Sequence, residues 1–174
     1  MKLYWDSCVL LAYLKGEAER LSKIEPILDD AHDGKIEIVT STISITEVAY
    51  VKDAALPASD AELDKKIEEF WHSVPVRLVE FFDLIAQDAA QLVRNANRRS
   101  FRLRPMDAIH LATAQRMGVD EFNTYEAPAK RKKWAGLTGL LVQEPDPRQP
   151  QLPMIPDANG PAQPPAQPLI SPQP

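Results

Sequence analysis

Short apolar, β-branched runs alternate with stretches of helical period from residue 1 to about 143, and this alternation restricts the fold more than any other feature of the chain. "KLYW", "KIEIVT", "VRLVEF" and "EFNTYE" read as strands, with "GLLVQ" as a fifth. Between them, "CVLLAYLKG" reads as a helix closed near Gly16, "ERLSKIEPILDDAHDG" as a helix ending at Gly34, and "STISITEVAYV" as a helix capped by Ser41 or Thr42. Further helices are expected from about Asp60 to Ser73, from about Leu84 to Arg99, and over "RPMDAIHLATAQRMG", where Pro105 suits a first turn and Gly118 a stop. Strand and helix in alternation specify an α/β fold, a parallel sheet of four to five strands covered on both faces.

Residues 144–174 follow another rule. "EPDPRQPQLPMIPDANGPAQPPAQPLISPQP" holds 11 of the 16 prolines and few large apolar residues, so it buries too little surface to offset the entropy of ordering. The expected organisation is one domain over 1–143 and a proline-rich disordered tail over 144–174. A hydrophobic content of 44% is enough for a real core in the first part. The lone Cys8 excludes an internal disulfide, suits a reducing compartment, and reads as a small buried residue. The apolar run from Val9 to Leu14 is too short to span a membrane and follows an acid, so the chain is expected to be cytoplasmic. A net charge of −5 leaves nucleic-acid binding to local basic patches.

The acids carry the chemistry. In open parallel sheets ligands bind at the carboxyl ends of the strands. Asp6 ends the first strand, as a helix cap or as a ligand, and Glu126 lies just past the fourth, so both are expected on one rim. Glu47 sits among Ile43, Ile45, Val48 and Val51, and reads as a ligand, as half of a capping box with Ser44, or as part of a solvated face. Asp107 falls in the first turn of its helix, where the dipole alone favours a negative charge by about 0.3–1 kcal/mol. His110, one turn on, reads as a core histidine rather than a ligand, since a single histidine makes no zinc site. Two carboxylates about 5 Å apart repel by roughly 3 kcal/mol at an effective dielectric near 20, so four converging acids must protonate or hold cations. A donor set made only of oxygen selects Mg²⁺ or Mn²⁺.

With these residues in order, the chain resembles the PIN-domain ribonucleases, and especially the toxins of VapBC-type toxin–antitoxin pairs, over residues 1–143. The resemblance rests on "YWDSCVLLAYL", "STISITEVAYV", "RPMDAIHLATAQRMGVDEF" and "FNTYE". It implies a PIN-like, Rossmann-like three-layer α/β/α sandwich in which Asp6, Glu47, Asp107 and an acid after the fourth strand bind one or two divalent ions, supported by Ser7 and Thr124. It also implies metal-dependent hydrolysis of RNA phosphodiesters without a protein nucleophile, a cognate antitoxin that fills the acidic groove, and a homodimer. The fourth acid departs from the usual aspartate: Glu126 holds that place, with Asp120 near enough in sequence to compete.

RNA also needs positive surface. "RNANRRSFRLR" carries Arg94, Arg98, Arg99, Arg102 and Arg104 and ends just before Asp107, and Lys130, Arg131, Lys132 and Lys133 follow Glu126 closely. Both clusters are expected near the acidic rim, with phosphate binding or an ordinary solvated face as alternative uses. Phe101 and Trp134 are candidates for stacking on bases, with core packing as the other use of Trp134. A catalytically silent PIN-like module that binds RNA or a protein is the alternative function. A phosphatase with an Asp6 nucleophile is disfavoured because Cys8 stands where a second aspartate belongs, and a dinucleotide-binding enzyme because no glycine-rich turn follows the first strand.

Overall fold

Strand β1 (Lys2–Trp5) organises the molecule, because its side chains alternate between two cores. Leu3 and Trp5 enter one cluster with Val9, Leu10, Ile24, Ile27 and Ile38. Tyr4 enters the other with Val39, Ile85, Leu111, Phe122 and Trp134. A strand buried on both faces has no polar position to offer, and this period-two split creates two hydrophobic layers from one sequence run. The computed structural model describes residues 1–49 and 60–147.

After β1 come α1 (Ser7–Lys15), α2 (Ala18–His32), β2 (Glu37–Ser41), α3 (Ile43–Val48), α4 (Asp60–Ser73) and β3 (Val76–Val79). The chain continues through α5 (Asp83–Arg98), α6 (Pro105–Met117), β4 (Glu121–Asn123), α7 (Pro128–Thr138) and β5 (Leu141–Gln143). The five strands are all parallel, in the order β3-β2-β1-β4-β5. Residues of α1, α2 and α4 pack on one face and residues of α5, α6 and α7 on the other, a three-layer α/β/α sandwich.

Local chemistry explains the boundaries. Gly16 and Gly118 close α1 and α6 at φ 69° and 58°, in the left-handed region where a Cβ is costly. Pro105 opens α6 at its first turn, where a missing N–H costs nothing. One element is shorter than its expected span and one was not anticipated. The helix read over "STISITEVAYV" is helical from Ile43 to Val48, and its continuation past Ala49 lies outside the described residues. The basic stretch after Glu126 forms α7, which the sequence pattern concealed because Trp134 is its single fully buried side chain. Most of the proline-rich tail expected over 144–174 lies outside the described residues.

Candidate metal centre

Parity also sets the site. Asp6 follows Tyr4 by two residues and so leaves the sheet toward the layer that contains α6. The Asp6 N–H donates to the carbonyl of Asn123 at 3.1 Å, and that of Thr124 to Gln143 at 2.9 Å, so both residues lie at the carboxyl rim of the sheet. At the end of β2, the Thr40 hydroxyl donates to the carbonyl of Trp5 and lies 2.7 Å from the Ser44 hydroxyl. Ser44 is thereby engaged beneath α3 and forms no capping box with Glu47, whose carboxylate is left to face α6.

Asp6 is held on both oxygens. Ser7 Oγ donates to Oδ1 at 3.2 Å and Thr124 Oγ1 to Oδ2 at 2.9 Å. Glu47 Oε2 lies 2.6 Å from His110 Nε2, and His110 Nε2 lies 3.8 Å from Asp6 Oδ1. Asp6, Glu47 and His110 each present one donor atom within 4.8 Å of the others. Across the rim, the Lys130 ammonium lies 3.1 Å from Asp107 Oδ2 and 2.6 Å from Glu126 Oε1. The four acids read from the sequence thus share one rim as two neighbouring pairs. Asp120 does not join them: its Oδ2 accepts the Lys2 N–H at 2.7 Å, at the amino end of the sheet. That placement removes it as the competing fourth acid.

The electrostatics follow from burial and crowding. Burial raises the Asp107 pKa, and the charges on Asp6 and Glu126 raise it further against the pull of Lys130. Burial pushes the same way at Glu47, but the hydrogen bond and charge of His110, with help from Ser7, win and hold its carboxyl below the usual range. For His110, burial favours the neutral ring, while Glu47, Asp6 and Asp107 together raise its pKa. Burial likewise opposes the charge on Lys130, and Glu126 and Asp107 outweigh it. Cys8 is driven upward by burial and by Asp6, which makes its thiol an unreactive neighbour.

Two features of this structure fit a hard divalent cation. Asp107 Oδ2 is buried with the Lys130 ammonium at 3.1 Å as its counter-charge, and that single charge does not offset the burial and the neighbouring carboxylates that raise the Asp107 pKa. The Lys130 ammonium meanwhile occupies the gap between two carboxylates, as a stand-in for a cation. Carboxylate oxygens on Asp6, Glu47, Asp107 and Glu126 are the donor type that suits Mg²⁺ or Mn²⁺.

The structure sorts the basic residues. Arg102, Lys130 and Lys133, with Ser100, Phe101 and Ala127, line a groove of about 490 Å³ beside Asp107 and Glu126. Lys133 Nζ lies 5.7 Å from the centre of the Phe101 ring. Arg104 is exposed at the N-cap of α6, and Lys132 is exposed on α7. Arg98 donates to Asn95, Arg99 to the carbonyl of Gly136 at 2.6 Å, and Arg94 to Gln91. Arg131 pairs with Glu144 at 2.8 Å and lines a different hollow with Lys23. Trp134 is 2% exposed, which settles its use as core and removes it as a base platform.

Sequence reasoning missed the part played by three residues. His110 was read as structural, yet it stands among the acids; its signal was the spacing of three from Asp107, one helical turn on the same face. Tyr4 read as a strand residue, and its signal was the shared parity with Asp6. Lys130 read as an RNA contact, but its ammonium lies within the acidic site.

A parallel α/β sandwich with acids gathered at the carboxyl rim belongs to the open-sheet α/β class, in which ligands bind at that rim. Comparison with known proteins narrows it: the PIN domain family matches residues 3–134, and the chain belongs to that family. No curated protein matches it. Among solved structures it is similar to VapBC2 from Rickettsia felis bound to a DNA fragment from its promoter, at 12% identity and TM-score 0.63, covering 84% of this chain and 100% of that one. It is similar also to FitAcB from Neisseria gonorrhoeae, at 17% identity and TM-score 0.60, covering 82% and 97%. FitAB bound to the IR36 DNA fragment gives 16% identity and TM-score 0.57, covering 82% and 94%. At these identities the likeness is one of fold.

Proposed function

We propose that this protein is a divalent-metal-dependent endoribonuclease, the toxin of a type II toxin–antitoxin pair acting in the cytoplasm. The observation that carries the reading is the gathering of Asp107 on one rim with Asp6, Glu47 and Glu126, where burial and the charges of Asp6 and Glu126 raise the Asp107 pKa in spite of the Lys130 ammonium 3.1 Å away. In it, Asp6, Glu47, Asp107 and Glu126 hold Mg²⁺ or Mn²⁺, while Ser7 and Thr124 fix the Asp6 carboxylate. The ion supplies Lewis acidity for the scissile phosphate and lowers the pKa of water. Lys130, once exchanged out of the acidic gap, places its ammonium against a phosphate oxygen, and Lys133, Arg102 and Arg104 bind the flanking backbone. Phe101, at the groove wall, stacks on an unpaired base. Arg98, Arg99, Arg131 and Lys132 contribute long-range field rather than contact.

Partners follow from the same reading. The similar structures carry the printed names VapBC2, FitAcB and FitAB, and here an antitoxin is proposed to cover the acidic groove. Phe81, Phe82 and Leu84 are exposed together beside an apolar groove of about 430 Å³ along α5 and α6, a surface suited to a homodimer. No helix among the described residues is long and apolar enough to cross a membrane.

One observation favours a second reading. With Lys130 bound to both Asp107 and Glu126, a cation of the chain itself already occupies one pair of the rim's acids, an arrangement that suits a catalytically silent RNA- or protein-binding module. Incubation of total RNA with Mn²⁺ and either wild type or Asp6→Asn, followed by mapping of cut ends, separates the two. The nuclease reading expects discrete cuts with wild type alone. Binding without cleavage by wild type selects the silent module.

A further inference from the structure

The ring of His110 is 2% exposed and is gripped at both nitrogens. Nε2 lies 2.6 Å from Glu47 Oε2, and Nδ1 lies 2.7 Å from the Tyr4 hydroxyl. That hydroxyl accepts the backbone N–H of Ser41 at 3.0 Å. Tyr4 belongs to β1, Ser41 ends β2 just before α3, and His110 belongs to α6, so the chain of contacts ties together the elements that carry Asp6, Glu47 and Asp107.

We infer that His110 is a positioning residue and not a metal ligand: its Nε2–H donates to Glu47, and Tyr4, anchored on Ser41, holds the ring so that the Glu47 carboxylate stays aimed into the site. The inference rests on the metal site proposed above. Its physical basis is proton counting. An ionised carboxylate only accepts, so a 2.6 Å contact requires the proton on Nε2, and a protonated ring nitrogen has no lone pair for a cation. The second nitrogen is equally engaged, whichever way the proton lies between it and Tyr4. Ligation through either nitrogen would break one of two short buried bonds. A carboxylate offers about four lone-pair positions, so one donated N–H leaves the rest of Glu47 for a cation. At 3.8 Å, Asp6 Oδ1 is too far from Nε2 to share the bond, which makes Glu47 the residue that His110 serves.

The consequence is a site of oxygen donors only, with imidazole acting through Glu47, in the manner of outer groups that orient ligands around a metal. The full chain labelled with ¹⁵N at histidine provides the test. In metal-free protein at neutral pH, His110 Nε2 is expected to carry a slowly exchanging proton, and after addition of ¹¹³Cd²⁺ no ¹¹³Cd–¹⁵N coupling appears at either ring nitrogen. By electron paramagnetic resonance, Mn²⁺ affinity should fall about 10–100-fold in His110→Leu, but stay near wild type in His110→Gln, whose amide can donate from the same place. Tyr4→Phe should weaken Mn²⁺ without creating a bare Nε2.

A bare Nε2 in the metal-free protein, a cadmium coupling, or a Gln variant as weak as the Leu variant would each overturn the inference. Wild type that binds no Mn²⁺ would instead sink the proposed metal site. The proton on Nε2, read without metal, still decides the role of His110 in that case.

Discussion

Lys130 Nζ lies 3.1 Å from Asp107 Oδ2, and the two side chains are 28% and 16% exposed. The partners respond differently: Lys130 gains two carboxylates and is held charged, whereas one ammonium does not offset the burial of Asp107 and the like charges beside it. Asp107 therefore remains under-compensated, and in the proposed metal site a divalent ion would displace Lys130.

Replacing Lys130 removes the cation that competes for the gap. Lys130→Met is expected to bind Mn²⁺ about tenfold more tightly, a modest fraction of the several kcal/mol available between opposite charges at 4 Å and intermediate dielectric. Isothermal titration at fixed ionic strength measures it. Equal or weaker affinity in the variant would mean that Lys130 does not occupy the ion's position.

Asp107→Asn tests the sign of the strain. The folded-state pKa of Asp107 is raised, so its folded form prefers the proton; that stabilisation is full below the unfolded pKa and is lost as pH rises through the folded one. At neutral pH the ionised carboxylate therefore costs stability in the metal-free protein. The variant, neutral at every pH, should melt above wild type at pH 7, with the gap closing in acid, and should lose Mn²⁺-dependent cleavage by at least about 100-fold. A variant that melts below wild type at pH 7 would show that Lys130 already compensates Asp107.

Much of this was legible in the sequence, and for identifiable reasons. Strand period and helix caps are local, so β1, α1, α5 and α6 fall within a residue or two of expectation. The rim position of Asp6 and Glu126 follows from chain direction in a parallel sheet. Contacts between distant segments were not legible. Nothing near Lys130 in sequence shows that its ammonium reaches Asp107, and nothing near Tyr4 shows that its hydroxyl reaches His110 and Ser41. Short α3 also misled: Ser44 and Glu47 have capping-box spacing, but the Thr40 hydroxyl from β2 engages Ser44.

The groove beside Asp107 gives a prediction in salt. Arg102 and Lys133 line it from different segments, and each phosphate they neutralise should add about 0.7 to the slope of log affinity against log salt on single-stranded RNA. Arg102→Ala with Lys133→Ala should flatten that slope by roughly 1.4, whereas Arg131→Ala, whose guanidinium is paired with Glu144, should barely change it. Filter binding to an unstructured RNA between low and moderate salt measures both. An unchanged slope in the double variant would place the RNA elsewhere.

Trp134 links packing to the site. Its ring meets Phe122 edge-on at 5.9 Å, Phe122 stacks on Tyr4 at 5.0 Å, and Tyr4 meets His110 at 5.8 Å. The aromatic column runs from α7, through β4 and β1, to α6, so the helix that carries Lys130 is seated on the same core that holds the His110 ring. Truncating a fully buried tryptophan removes both transfer energy and contacts, and Trp134→Ala should cost about 3–5 kcal/mol in urea unfolding. Trp134→Phe keeps the edge-on contact and should cost much less. If the column positions the site as well as stabilising the fold, Trp134→Ala should also weaken Mn²⁺ binding under conditions where the variant is fully folded. Unchanged affinity in folded Trp134→Ala would confine Trp134 to stability, with the acids positioned by β1, α3 and α6 alone.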